Sequence, residues 1–112
     1  MFEERKIRAY KTYFKDFIES LSELEARKVF YVIDMLKTQE RLSQKFVKHI
    51  EDGIFELRAE YNGNIFRVFF IFDDGNIVLL FNGFKKKTQK TPPNEIEQAK
   101  KLKQEYYNEK GK

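Results

Sequence analysis

Between Asn82 and Pro92 the chain reads Asn-Gly-Phe-Lys-Lys-Lys-Thr-Gln-Lys-Thr-Pro, and four lysines and two threonines follow directly on an apolar run. Ammonium groups crowded where a strand ends suit an anion. Two arginines upstream, Arg58 and Arg67, bring planar guanidinium groups that grip phosphate with two parallel hydrogen bonds and do not lose their charge. The single histidine, His49, stands close to Lys45 and Lys48. An unperturbed imidazole titrates near neutrality, so His49 is a candidate proton acceptor, against the plainer reading of an incidental loop histidine. Lys85 to Lys90 likewise has a plain reading, as lysines that blunt an exposed strand edge.

These groups share a surface only if particular elements place them there. Asn62-Gly63 and Asp74-Gly75 are dipeptides favoured where both central residues of a tight hairpin turn need positive φ. They predict an antiparallel three-stranded meander. With two-residue loops, Tyr61 opposes Asn64 and Asp73 opposes Asn76, and every other pair follows. One face then carries Phe55, Leu57, Ala59, Tyr61, Phe66, Val68, Phe70, Phe72, Ile77, Leu79 and Phe81 as the core. The other carries Glu56, Arg58, Glu60, Arg67, Asn82, Phe84 and Lys86, with Arg58 across from Arg67 and Arg67 across from Asn82. Like charges facing each other on neighbouring strands cost a few tenths of a kcal/mol to about 1 kcal/mol unless compensated. Either Glu56 and Glu60, diagonal to Arg67, neutralise the row as a solvated network, or the row awaits an external anion.

Ahead of the meander, Lys6 to Tyr10 alternates as a short strand. Tyr13, Phe14, Phe17, Ile18 and Leu21 then recur at helical spacing. Ser22-x-x-Glu25 is a capping box that opens a second helix, carrying Ala26, Val29, Phe30, Ile33 and Leu36 and running to about Thr38. The two helices should form a hairpin over one side of the sheet. Gln39 to Asp52 reads as a long connection. After Pro92-Pro93, Asn94 is the expected N-cap, with Glu97 three residues on, of a last helix with Ile96, Ala99, Leu102 and Tyr106 inward. Tyr107 is left free to stack on a base. The fold class expected is α+β: N-terminal strand, helical hairpin, three-stranded meander and C-terminal helix.

The 112 residues suit one domain, 1–112. The net charge of +4 points to nucleic acid or an acidic protein as partner. With no cysteine and one histidine, disulfides and thiolate zinc sites drop out, and no metal or cofactor is expected. Asp73 and Asp74 read as turn residues. No apolar run approaches the roughly 18 residues that span a bilayer, so a soluble, cytoplasmic protein with no membrane partner is expected.

The order of elements, together with Glu56-Leu-Arg58, Asn64-Ile-Phe-Arg-Val-Phe-Phe70, the Asn82 to Pro92 segment and Glu95-Ile-Glu-x-Ala99, resembles the RelE/ParE superfamily of toxins from type II toxin–antitoxin systems. It is most similar to the HigB-like, phage-derived branch, over essentially the whole chain. That resemblance implies a metal-independent endoribonuclease that cuts mRNA, free or on the ribosome, until a cognate antitoxin, a helix-turn-helix protein, blocks it. It also implies roles. Arg67 falls where the family keeps an arginine on the central strand, and Lys86 or Lys87 where a basic side chain follows the last strand. Arg58 matches the Glu-Leu-Arg motif, whereas Lys45, Lys48 and His49 lie where several relatives place a catalytic base. Asn82, Lys85, Lys90 and Tyr107 complete the expected RNA surface. The C-terminal histidine or Asp-Tyr-His segment of some relatives has no counterpart here. A ParE-like gyrase inhibitor and a non-catalytic RNA- or protein-binding module are the alternatives.

Overall fold

The computed structural model describes residues 2–86 and 91–111. In chain order it has β1 (Lys6–Ala9), α1 (Tyr13–Glu19), α2 (Glu23–Thr38), β2 (Val47–Glu51), β3 (Ile54–Tyr61), β4 (Asn64–Asp73), β5 (Ile77–Lys86) and α3 (Pro93–Lys110). The sheet has five strands in the order β1-β5-β4-β3-β2, with β1 parallel to β5 and the other pairs antiparallel. The expected meander is therefore the centre of a wider sheet. No helix among the described residues is long and apolar enough to cross a membrane.

The expected long connection contains β2. Its turn into β3 is Asp52-Gly53, with φ of 55° and 74°, the same chemistry that marks the Asn62-Gly63 hairpin, at 53° and 80°. Ser22 caps α2 as expected: its hydroxyl accepts from the Glu25 amide while Glu25 Oε1 accepts from the Ser22 amide. The last helix starts earlier than expected. Pro92, not Asn94, is the N-cap and Pro93 opens the first turn, where a missing N–H costs nothing and the fixed φ is already helical.

Pairing of β3 with β4 is as the two-residue turn requires, with Tyr61 opposite Asn64 and Arg58 opposite Arg67. Pairing of β4 with β5 is not. The Asp74 turn takes in Asn76, so Asp73 opposes Ile77 and the strand slips by one residue. A one-residue slip exchanges faces. Val78 and Leu80 join Leu57, Ala59, Phe66, Val68 and Phe70 in the core beneath α1 and α2. Leu79 and Phe81, expected there, pack on the opposite face with Phe69, Ile71, Ala99 and Leu102. The sheet thus has two cores, one under the helical hairpin and one under α3. Tyr61 and Phe72, also expected inside, are each 37% exposed, because both adjoin turns at the sheet's end.

A bulge restores the phase. Phe70 opposes Leu80 and Val68 opposes Gly83, leaving Phe81 and Asn82 together opposite Phe69. The slip and the bulge add to two residues, so Phe84 opposes Arg67 and Lys86 opposes Ile65, on the face expected for both. Asn82 is not across from Arg67. It sits in the bulge, its amide nitrogen 3.4 Å from the Glu95 carbonyl and from Glu95 Oε1.

The far end of α3 is pinned by Asp73, which accepts from the Tyr106 hydroxyl and from Lys110 Nζ at 2.9 Å. Burial pushes this carboxyl up, but the hydrogen bonds from Tyr106 and Lys110 outweigh it and hold it below its ordinary value. The carboxylate's contribution is therefore present above the unfolded-state value, about 4, and is lost as pH falls through the lower folded value. Asp73→Asn should lower stability at neutral pH and flatten its decline below about pH 4, as read by urea unfolding across pH. A decline as steep as wild type's would remove Asp73 from the acid response. After the bulge, Gly83 meets Phe17 of α1, and a Cβ there would lie 2.5 Å from the ring. Gly83→Ala should cost about 1–3 kcal/mol by overpacking, with Phe17→Leu relieving part of that cost in the double variant.

Candidate active site

On the face covered in part by α3, the side chains beyond the helix's first turn are polar. Glu56 comes from β3 and lies diagonal to Arg67, since it opposes Phe69, a separation that long side chains bridge. Arg67 Nη1 donates to Glu56 Oε1 at 3.1 Å and to Thr91 Oγ1 at 2.7 Å, and Thr91 donates to Glu56 Oε2 at 2.7 Å. One hydroxyl accepts from the guanidinium and gives its own proton to the carboxylate, closing a triangle. Arg58 Nε stands 3.3 Å from Glu56 Oε1. Glu56 and Arg67 side chains are each 1% exposed, and Arg58 is 16% exposed.

The compensation for the facing arginines is thus internal, and it is buried rather than solvated. One carboxylate meets two guanidinium groups, and Lys48, opposite Glu56 on β2, adds a third cation. These three cations and Glu56 line a cavity of about 300 Å³ together with His49, Ile50 and Thr91. A cavity of that size, open and cationic, suits a phosphate group. Arg67, inaccessible behind Glu56 and Thr91, orients these partners, and Arg58 and Lys48 are the cations within reach of a ligand.

The remaining expected residues divide by face and by distance. Lys86 shares the face of Phe84 and Arg67 by its pairing with Ile65. Lys85 faces the other way, where its ammonium meets Glu25 Oε2 of α2 at 3.0 Å and lies over the Phe66 ring. His49 pairs with Phe55 and rests edge-on against its ring, centroids 5.0 Å apart. Phe55 packs against the helical-hairpin core, so the imidazole and the Arg58–Arg67 row lie on opposite faces, although His49 lines the cavity. Lys45 is in the turn before β2, its ammonium over the Phe46 ring. Tyr107 is stacked edge-on with Tyr106, fourteen residues along α3 from Pro93, about 21 Å at helical rise. Lys87 and Lys90 lie outside the described residues.

Thr91 was not singled out from the sequence. No periodicity marks it, and a lone threonine before two prolines has no signature of ligation. Asp52-Gly53 marks β2, but counting back from that turn sets Lys48 across from Leu57; a bulge between His49 and Glu51 shifts it by one residue, to Glu56.

Glu56→Gln would keep the shape while leaving Arg67 buried without its counter-charge. The expected loss is about 3–5 kcal/mol in urea unfolding, and Glu56→Gln with Arg67→Gln together should recover part of it. A loss under about 1 kcal/mol for the single variant would mean the pair holds little of the fold.

A model of the family described as "Phage derived protein Gp49-like" matches residues 16–104. Among solved structures, the archaeal RelE–RelB complex from Pyrococcus horikoshii OT3 contains a chain superposing with TM-score 0.54 at 15% identity, over 79% of this chain and 100% of that one. This likeness shows a shared fold. No curated protein matches the chain.

Proposed function

As the chain belongs to the phage-derived Gp49-like family, a family of RelE/HigB-type toxins, we propose that it is the toxin of a toxin–antitoxin pair and cleaves single-stranded RNA without a metal ion. The carrying observation is the convergence of Lys48, Arg58 and Arg67 with buried Glu56 on one cavity. Cleavage in this site forms a bond from the ribose 2′-oxygen to phosphorus and breaks the bond from phosphorus to the 5′-oxygen. The products are a 2′,3′-cyclic phosphate and a 5′-hydroxyl. Charge builds on the non-bridging oxygens in the transition state, and fixed cations aimed at them lower the barrier.

Arg58, whose Nε stands 3.3 Å from Glu56 Oε1, takes that task by turning its guanidinium to the phosphate. Lys48 supplies the second charge and the proton that the departing 5′-oxygen takes up. The proton of the 2′-hydroxyl passes to water in the open cavity. Lys86 extends the cationic face along the strand. His49, with its ring against Phe55, carries no proton transfer in this scheme. Arg67 acts through Glu56 and Thr91, holding the carboxylate that aims Arg58. The partner is an antitoxin, of helix-turn-helix type, that covers this face, and the ribosome is a natural place for the substrate strand to be presented.

Purified protein incubated with labelled mRNA, with and without ribosomes, tests the reading. Arg58→Ala should reduce cleavage about a hundredfold or more, with the products carrying cyclic phosphate and hydroxyl ends. His49→Ala should reduce it far less. Full cleavage by Arg58→Ala would overturn the assignment. RNA bound by wild type with steep salt dependence but recovered uncut would make the chain a binding module instead.

A further inference from the structure

A second cavity adjoins the first and shares Arg58 with it. It encloses about 350 Å³ and is lined by Lys28, Tyr31, Lys45, Phe46, Arg58 and Glu60. Its position follows from the edge of the sheet. β2 begins only at Val47, and the turn before it is tied to β3 by the Arg58 amide donating to the Phe46 carbonyl at 2.7 Å. Beyond that bond β3 runs on without a strand outside it, and α2 closes the space from the hairpin side with Lys28 and Tyr31.

Two aromatic rings line this space, each with an ammonium over it. Lys28 Nζ lies 5.1 Å from the Tyr31 centroid and Lys45 Nζ lies 5.6 Å from that of Phe46. Tyr31 is 58% exposed on α2, so burial in a core does not account for it. Lys28 and Lys45 stand on this cavity with Glu60, beside the Arg58 that it shares with the first. Aromatic faces interleaved with cations are the chemistry that single-stranded nucleic acid selects: bases stack on rings while ammonium groups follow the backbone. Surface lysines resting on their own rings are the plain alternative. They do not account for a guanidinium common to this cavity and to the phosphate cavity.

We propose that this second cavity is a base-binding subsite: Tyr31 and Phe46 receive the base of the nucleotide next to the cleaved phosphate, and Arg58 bridges that nucleotide to the scissile linkage. The inference rests on the RNA-cleaving reading of the neighbouring site. It adds an element of substrate choice, because the nucleotide flanking the cut must be unstacked to enter. A duplex, whose bases stay stacked, is excluded by the same geometry. Lys28 and Lys45 then move from their rings to the phosphates on either side.

The test uses the whole protein and a labelled single-stranded RNA carrying a 2′-O-methyl group at the cleaved linkage, so that binding is read without reaction. A second RNA has an abasic residue next to that linkage. Anisotropy titrations should show Tyr31→Ala weakening binding of the intact RNA about ten- to a hundredfold, with little change for the abasic RNA. Tyr31→Phe should restore wild-type affinity. Since Tyr31 is exposed, thermal unfolding of Tyr31→Ala should match wild type. If wild type binds the intact RNA and Tyr31→Ala binds it equally well, the subsite is overturned while the RNA reading stands. If wild type does not bind single-stranded RNA and does not cut it with or without ribosomes, both fall together.

Discussion

A carboxylate buried to 1% exposure between two guanidinium groups organises this molecule's working face. Taking Glu56 out of water costs several kcal/mol, and Coulomb attraction repays it only where geometry and hydrogen bonding are complete. Arg67 and Thr91 supply that completeness from β4 and from the chain entering α3, and Arg58 approaches from the carboxylate's own strand. Three segments distant in sequence are drawn to one point. Arg58, Arg67 and Glu56 together border the cavity, with Lys48 on its rim. The buried ion pair and the cavity wall are thus built from the same side chains, because one carboxylate meets two guanidinium groups.

How much of this could be read beforehand depended on which turn did the positioning. Asn62-Gly63 is a two-residue loop, and the facing of Arg58 and Arg67 followed from it by counting. Asp74-Gly75 has the same signature and positive φ at both residues, yet the loop takes in Asn76 and the register slips. Dipeptide chemistry fixes the local backbone and does not fix the loop's length. The faces of Leu79 and Phe81 were accordingly misread. Those of Phe84 and Lys86 came out as expected only because the bulge at Phe81 and Asn82 adds the second residue.

The strand itself could not have corrected the error. From Ile77 to Phe81 β5 is continuously apolar, as strands covered on both faces are. Alternation survives only where one face meets water. On β3 it does: Leu57 and Ala59 are buried under α2 while Glu56 and Arg58 turn to the cavity side. Signal and function therefore coincide on β3, and the half-open face was legible for that reason. The membership of β2 in the sheet was legible too, through Asp52-Gly53, but its short, largely exposed strand has little periodicity of its own.

The covering of the sheet by α3 explains why the polar cluster stands where it does. Ala99 and Leu102 seal Ile54, Phe69, Ile71, Leu79 and Phe81, and Asp73 pins the helix's far end through Tyr106 and Lys110. The helix begins at Pro93, so among the described residues α3 gives the face beyond that point no apolar cover. Side chains there must be hydrated, paired or occupied by a ligand. Glu56 and Arg67 are paired. Arg58 and Lys48 border the cavity beside them. Placing Thr91 two residues before Pro93 couples this cluster to the helix, since its hydroxyl closes the Glu56–Arg67 triangle. The start of α3 and the surroundings of Arg58 are in this way joined by one network, through Thr91, Arg67 and Glu56.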